Sequence, residues 1–148
     1  MTNLSSPSSP AQEIFTHSIE FISNAKIQEW VGLFADDGVL EFPFPLPGFP
    51  ERIEGKAALY EYMKIFPTQL KVEFSEPVFY ETADPALVIA EFTSEGTALM
   101  TGKKFRQRYL SILWIKDGKI TRYRDFWNPW VIIEAIGGPE ALAQATAG

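Results

Sequence analysis

Cysteine is absent from this 148-residue chain, and histidine occurs once, as His17. Without cysteine there is no disulfide framework and no thiol nucleophile. With a single histidine as well, the usual nitrogen and sulfur ligands of a zinc site are not available, and no metal or cofactor is expected. Basic residues are outnumbered: 13 Lys and Arg face 19 Asp and Glu, a net charge of −6. That excludes the counterion-displacing basic face that nucleic acid or an anionic membrane requires of a partner. No apolar run approaches the roughly 18 residues of a membrane span. The first ten residues, Met1 to Pro10, lack both the basic and the apolar segment of a secretion signal. The expectation is a cytoplasmic protein, with residues 1–10 a disordered leader and residues 11–148 a single domain.

Aromatic residues are abundant, at 14% of the chain, which is more than a core of this size needs. Either some rings line a cavity or the core is aromatic-rich. Along the chain, Ile14, Phe15, Ile19, Phe21 and Ile22 recur at helical spacing between Ala11 and Ala25. A second helix is read from Lys26 to about Ala35, burying Ile27, Trp30, Val31 and Phe34. His17 falls opposite Ile14 and Phe21, as a solvent-facing residue. Asp36-Asp37-Gly38 stops the second helix, and Val39 to Phe42 reads as a short strand on which Glu41 faces outward.

Four prolines between Phe42 and Pro50 exclude helix and central strand, leaving a stiff apolar loop. It is either a lid over a cavity or a segment packed on the core through Phe44, Leu46 and Phe49. A third helix runs from Lys56 to Phe66, stopped by Pro67. The period then changes to two, giving strands Leu70 to Tyr80 and Ala86 to Thr97, followed by the hairpin Lys103 to Trp127 around Lys116-Asp117-Gly118-Lys119. Trp130 to Ile136 is helical, and Pro139 opens a last Ala-rich turn or helix. Helix, helix, short strand, helix and four strands define an α+β fold, with three N-terminal helices on the concave face of a strongly bent antiparallel sheet. A bent sheet covered in this way closes into a cone with a cavity at its open end.

The hairpin carries the chemistry. A two-residue primed turn at Asp117-Gly118 would pair Lys116 with Lys119 and set Asp125 across from Leu110. A three-residue turn with Gly118 as a left-handed bulge residue would pair Ile115 with Lys119 and set Asp125 across from Tyr109. The second register is favoured, because it collects Phe105, Gln107, Tyr109, Ser111, Leu113, Thr121, Tyr123, Asp125 and Trp127 on one face. Arg106, Arg108, Arg122 and Arg124 then lie on the other. A carboxylate between Tyr109, Tyr123 and Trp127 would be partly desolvated, which raises its pKa and suits it to acid/base work near neutral pH. Tyr109 would hydrogen-bond it or stabilise a developing oxyanion. Gln107 and Ser111 would orient a ligand, with Trp30, Phe34, Phe42 and Tyr60 as lining rings or as plain core. The competing reading of Asp125 is a salt bridge to an arginine or a strand-end hydrogen bond. Glu91 sits on a strand whose register the sequence leaves open.

Phe34-Ala35-Asp36-Asp37-Gly38-Val39-Leu40-Glu41-Phe42-Pro43-Phe44, Gly55-Lys56, and Asp117-Gly118-Lys119-Ile120 before Tyr123-Arg124-Asp125-Phe126 together resemble the SnoaL-like and ketosteroid-isomerase-like group of the nuclear-transport-factor-two superfamily. Within that group Phe66-Pro67, Glu81-Thr82-Ala83-Asp84-Pro85, Glu91, Gly96, Gly102, Tyr109 and Arg124-Asp125-Phe126-Trp127-Asn128-Pro129 are most similar to the phenazine-biosynthesis A/B proteins. The resemblance implies a small homodimer with a pocket in the cone and acid/base-assisted condensation of a ketone precursor. That family carries glutamate where Asp125 stands and a histidine in its third-helix region, and no histidine lies between Gly55 and Pro67 here. Ketosteroid isomerases place their base where this chain has Phe42 and their oxyanion-hole tyrosine where it has Ser18. Limonene-epoxide-hydrolase and polyketide-cyclase relatives also use an acid in the matching Arg-Asp segment. Two functions stay open: a cofactor-free isomerase, cyclase or condensation enzyme acting on a cyclic or aromatic keto compound, or a carrier that binds a small hydrophobic ligand without chemistry. The apolar residues Leu110, Ile112 and Trp114, opposite Asp125, are the expected homodimer face.

Overall fold

The computed structural model describes residues 8–147, with the side chains of 145–147 left aside. Most of the expected leader, residues 1–7, lies outside the described residues. Of its last two residues, Ser9 caps and Pro10 opens the first helix, α1 (Pro10–Ser23). Ser9 and Gln12 form a reciprocal cap, each side chain accepting from the other's amide at 3.1 Å, and Pro10 occupies a position where no amide hydrogen is needed. The helix buries Ala11, Phe15, Ser18, Ile19 and Ile22 along one stripe and leaves His17 exposed.

Helix α2 (Ile27–Val31) is shorter than its sequence pattern predicts. The Leu33 carbonyl accepts from the amide of Ile120 at 2.9 Å, so a non-local backbone bond draws the chain into strand β1 (Phe34–Glu41) where helical periodicity had continued. Between Phe34 and Val39 the strand bulges widely, and Gly38 approaches so closely that a Cβ there would meet the Ile120 carbonyl at 2.9 Å. Asp36-Asp37-Gly38 is therefore an interruption within a strand, where a helix stop was expected.

A short strand that the sequence did not reveal, β2 (Arg52–Glu54), pairs with β1. Helix α3 (Lys56–Met63) follows, and Pro67 opens a further turn, α4 (Phe66–Gln69), where the sequence placed a stop. The single strand expected from Leu70 to Tyr80 is two, β3 (Leu70–Phe74) and β4 (Val78–Tyr80), each pairing with β5 (Leu87–Ala98). The hairpin consists of β6 (Lys104–Lys116) and β7 (Lys119–Trp127), and α5 (Pro129–Ala135) and α6 (Pro139–Ala147) close the chain. The sheet order is β2-β1-β7-β6-β5-β3, with β4 also on β5, and β1 runs parallel to β7 while the remaining pairs are antiparallel. This is the expected α+β fold, helices on a curved sheet.

The favoured hairpin register is corrected. Asp117 and Gly118 both have positive φ, 52° and 75°, which is the two-residue primed turn, and Lys116 pairs with Lys119. A bulge then inserts Thr121: Ile115 pairs with Ile120, but Trp114 pairs with Arg122. From there Leu113 faces Tyr123, Ser111 faces Asp125 and Tyr109 faces Trp127. Two-residue turn plus bulge gives the same facing as a three-residue turn, but displaces Asp125 by two residues along β6.

Inside the sheet, Phe15 from α1 makes edge contacts with Phe79 and Phe92 at 5.9 and 5.1 Å and meets Tyr123 at 6.4 Å. Trp30 packs on Phe34 at 4.8 Å, and Phe34 stacks against Tyr123 at 6.3 Å. Gly96 on β5 faces Phe105 on β6, and a Cβ there would lie 2.5 Å from the Phe105 ring and 2.8 Å from the Lys71 carbonyl. Gly96→Ala is expected to lower unfolding free energy by roughly 1–3 kcal/mol, the usual penalty of overpacking. Urea denaturation checks this, and an unchanged midpoint would show that the strand pair yields freely.

Candidate active site

The bulge at Thr121 turns Tyr123, Asp125 and Trp127 inward and Arg122, Arg124 and Phe126 outward. The outward arginines are occupied there. Arg124 Nε donates to Glu41 Oε1 at 3.1 Å, Arg122 and Arg52 lie within 3.8 and 3.6 Å of the same carboxylate, and both hairpin guanidinium groups sit over the Trp114 ring. The salt-bridge reading of Asp125 is thereby removed: the described ion pairs place these arginines on Glu41, on the opposite face.

Asp125 instead accepts one side-chain hydrogen bond, from Ser111 Oγ to Oδ1 at 2.9 Å, directly across the ladder. Its surroundings are protein in nearly every direction, although the residue keeps part of its surface accessible. Burial pushes the carboxyl up to about 7, and the Ser111 hydrogen bond only partly offsets this. Tyr123 is pushed strongly up by burial and then by the nearby Asp125 charge, against the opposing effect of hydrogen bonds with Ser111 and Ser18. Tyr109 is pushed up by the same two influences, less the effect of Ser94.

Tyr109 is not across the ladder from Asp125 as expected; it faces Trp127 instead. Its hydroxyl is 2.8 Å from Ser94 Oγ and its ring stacks on Phe92 at 4.7 Å, so the direct neighbour of Asp125 is Ser111. Gln107 is likewise engaged elsewhere. It is buried, its Nε2 donates to the Asn128 carbonyl at 2.7 Å, and its Oε1 accepts from the Asn128 and Arg108 amides. It pins the end of β7 to the start of α5, with its carbonyl oxygen and one amide hydrogen committed there. Trp30 and Phe34 are fully packed core beneath Tyr123. Glu91 faces outward and accepts from the Tyr80 hydroxyl at 2.6 Å.

Phe42 does reach the site: its ring lies 6.2 Å from Trp127 and 5.6 Å from Tyr62. Tyr62, which the sequence reading missed, replaces Tyr60 as the aromatic that α3 offers. Burial and then the Asp125 charge raise its hydroxyl to about 12, whereas Tyr60 lies beneath the Lys64 ammonium, 6.0 Å above its ring. The signal was present in the sequence, because Leu59 and Met63 mark the buried stripe of α3 and Tyr62 falls three residues after Leu59, on the same side. Ser18 and Ser94 gave no such signal. The proline-rich loop sends Leu46 to the core and Phe44 against Phe126 on the outer side, 6.1 Å away. Two clefts of about 350 and 410 Å³ open on that outer side around Arg52, and neither is lined by Asp125.

An aromatic-walled interior with one uncompensated acid is the setting in which the comparisons with known proteins fall. The sequence profile of the SnoaL-like domain matches residues 15–123, and the chain belongs to that family. It is 46% identical over 138 residues to an uncharacterized PhzA/B-like protein of Pseudomonas aeruginosa, spanning 93% of this chain and 98% of that one. The phenazine biosynthesis protein PhzB of Pseudomonas fluorescens is 31% identical over 114 residues, 72% of this chain and 68% of its own. A crystal structure from Bacillus subtilis, 42% identical, superposes with a TM-score of 0.84 over 87% of this chain and 94% of that one.

Because burial raises Asp125 from 3.8 to about 7, the folded state prefers the neutral acid while the unfolded chain ionises near 4. Below the unfolded value both states are neutral and the residue has no effect. As pH rises from 4 through 7, ionisation favours the unfolded chain increasingly. Asp125→Asn is therefore expected to raise stability at pH 8, by at most about 4 kcal/mol, with the gain fading towards pH 4. Denaturation midpoints across that range check this, and a difference independent of pH would contradict it.

Proposed function

We propose that this protein is a cofactor-free acid/base enzyme, an isomerase, cyclase or condensation catalyst, acting on a small cyclic or aromatic keto compound. The observation that carries the reading is Asp125: an inward carboxyl, hydrogen-bonded only by Ser111 and raised to about 7 by burial. A purely structural acid would be expected to hold an arginine, and Arg124, the preceding residue on the strand, is committed to Glu41 on the other face. Near neutral pH such a carboxyl holds and releases a proton with little free-energy change, which acid/base catalysis requires.

Tyr62 supplies the second group. None of the described residues hydrogen-bonds its hydroxyl, α3 sets it close enough to Asp125 to feel the carboxylate charge, and burial keeps it protonated. In this role it donates to a substrate carbonyl while Asp125 takes a proton from the adjacent carbon, with Phe42 and Trp127 as the apolar walls. That division replaces the one between Asp125 and Tyr109. The likeness to PhzB, named for phenazine biosynthesis, supports a small-molecule biosynthetic role. The carrier alternative draws on the commitment of Gln107 and Tyr109 to internal hydrogen bonds, which makes the site more apolar than expected.

Asp125→Asn is expected to keep the fold and ligand affinity and to lower turnover at least a hundredfold, within the range of positioned acid/base catalysis. Tyr62→Phe is expected to lower kcat on the order of 10²-fold, as loss of a carbonyl donor does. With Asp125 acting as base, wild-type kcat/KM rises as pH increases through about 7. Steady-state kinetics on any accepted keto compound decides, and an Asp125→Asn variant with wild-type turnover removes the residue from the mechanism.

The proposed assembly is a homodimer across the outer sheet face. There Val78 and Leu110 lie on one row of the ladder, and Tyr80, Ile89 and Ile112 on the next. Val78, Tyr80 and Leu110 are exposed in the single chain. Light scattering at micromolar concentration should give a dimer mass, and a monomer mass would contradict the assignment.

A further inference from the structure

Strand β7 loses one of its two neighbours before it ends. Its parallel pairing with β1 stops at Glu41 and Arg124, so among the described pairs Asp125, Phe126 and Trp127 are held by β6 alone, through Ser111, Leu110 and Tyr109. Asn128 lies beyond the last ladder pair, and Pro129 after it has no amide hydrogen to give. A strand end tethered on one side is where a sheet frays. Gln107 closes that gap with its side chain. Its Oε1 accepts from the Asn128 amide at 3.1 Å and its Nε2 donates to the Asn128 carbonyl at 2.7 Å, the exchange that a backbone residue of β6 would make at one more rung. Oε1 also accepts from the Arg108 amide at 3.1 Å, and the reverse orientation of the carboxamide would set oxygen against a carbonyl and nitrogen against two N–H groups. The residue is 2% exposed, so bulk water does not compete for these bonds. An apolar side chain of the same length could fill the space; what the carboxamide adds is the tether.

We propose that Gln107 is a positioning residue for the acid site: its buried carboxamide supplies the rung missing at the end of β7 and so holds Asp125 and Trp127, which β1 no longer supports, against Ser111 and Phe42. Asp125 and Trp127 are alternate residues of one strand and share its inner face, so a displacement of one is felt by the other. Ser111 reaches the carboxyl across the ladder at 2.9 Å, and the Trp127 ring meets Phe42 edge-on at 6.2 Å. Both contacts require the strand end to stay on β6. The tether also continues outward. Asn128 Oδ1 accepts from the Trp130 amide at 3.0 Å and caps α5, whose last residue, Ala135, is tied to the turn between β5 and β6 by Thr101 Oγ1 donating to its carbonyl at 2.6 Å. Gln107 thus acts at one remove, through the backbone of the strand that carries the acid. This assignment rests on Asp125 being the acid/base group of the proposed enzyme, but its test does not require turnover.

The experiment compares wild type with Gln107→Met and Asn128→Ala in the full chain, each checked for fold by its amide spectrum. Two NMR signals are followed, the ¹³C titration of the Asp125 carboxyl and the indole resonance of Trp127. The phenols beside Asp125, those of Tyr62, Tyr109 and Tyr123, are kept neutral by burial, and desolvation outweighs the Ser111 hydrogen bond in setting the midpoint, so a looser strand end lowers it. Gln107→Met keeps the volume and removes the tether. The midpoint should then fall by about one pH unit as water reaches the carboxyl, and the Trp127 signal should shift and broaden. Asn128→Ala removes the α5 cap and should lower Tm, yet it leaves the backbone tether, so both signals should match wild type. If Gln107→Met does not fold, Gln107→Glu in an Asp125→Asn background carries the test. Protonated, the new carboxyl donates to the Asn128 carbonyl and Trp127 should match its parent; ionised, it can only accept, and the Trp127 signal should move. Unchanged signals in Gln107→Met, equal shifts in Asn128→Ala, or a Trp127 signal of Gln107→Glu indifferent to pH would overturn the assignment. A wild-type midpoint near 4 would instead count against the acid/base reading alone, and the Trp127 signal then decides the tether.

Discussion

The inserted residue Thr121 sets the phase of everything that follows it on β7. It adds one residue opposite the Trp114–Ile115 step and returns its hydroxyl to the Trp114 carbonyl at 3.0 Å. Were Thr121 instead to pair regularly with Trp114, with no bulge, Arg122 and Arg124 would point into the aromatic interior and Asp125 outward. An unpaired guanidinium in such surroundings costs several kcal/mol, while on the outer face Arg124 meets Glu41 and the Trp114 ring. The outer ion pair and the inner acid are thus two results of one bulge. Bulges are known to re-aim side chains next to active sites, and here the re-aimed residue is the only inward acid of the hairpin.

The rest of the structure holds that acid in an unfavourable environment. Phe15, Phe34 and Tyr123 form a packed aromatic layer below it, Phe42, Tyr62 and Trp127 flank it, and Ser111 alone opposes its desolvation. Gln107 makes the arrangement rigid by tying both its amide atoms to Asn128, immediately after Trp127. Ionising Asp125 near neutral pH works against folding, and such local instability persists only where the surrounding packing compensates for it. Sites that carry function are where this is expected.

The order of elements, the hairpin and the inward set from Phe105 to Trp127 were legible from periodicity and from one glycine, except for Thr121, which the bulge places at an outer cleft beside Trp114 and Arg122. What the sequence could not reveal came from contacts between distant residues. The amide of Ile120 claims the Leu33 carbonyl and turns the end of a helical pattern into strand, and β2 exists because β1 offers it a free edge. A three-residue turn and a primed turn with a later bulge give Asp125 the same facing, so alternation alone could not separate them. That ambiguity misassigned the cross-strand neighbour of Asp125 to Tyr109. Tyr62 was recoverable from the Leu59–Met63 stripe. Ser18 was seen only as a position where a tyrosine was missing; in the structure it is buried and donates to the Phe15 carbonyl.

The central claim is that burial alone, without a cationic partner, brings the Asp125 carboxyl to the neutral range. Its own titration in the unmodified protein, read from the carboxyl ¹³C signal assigned by comparison with Asp125→Asn, tests that most directly. The structure predicts a midpoint near 7, raised from the ordinary 3.8. A midpoint close to 4 would show a solvated or ion-paired carboxylate and would contradict the account.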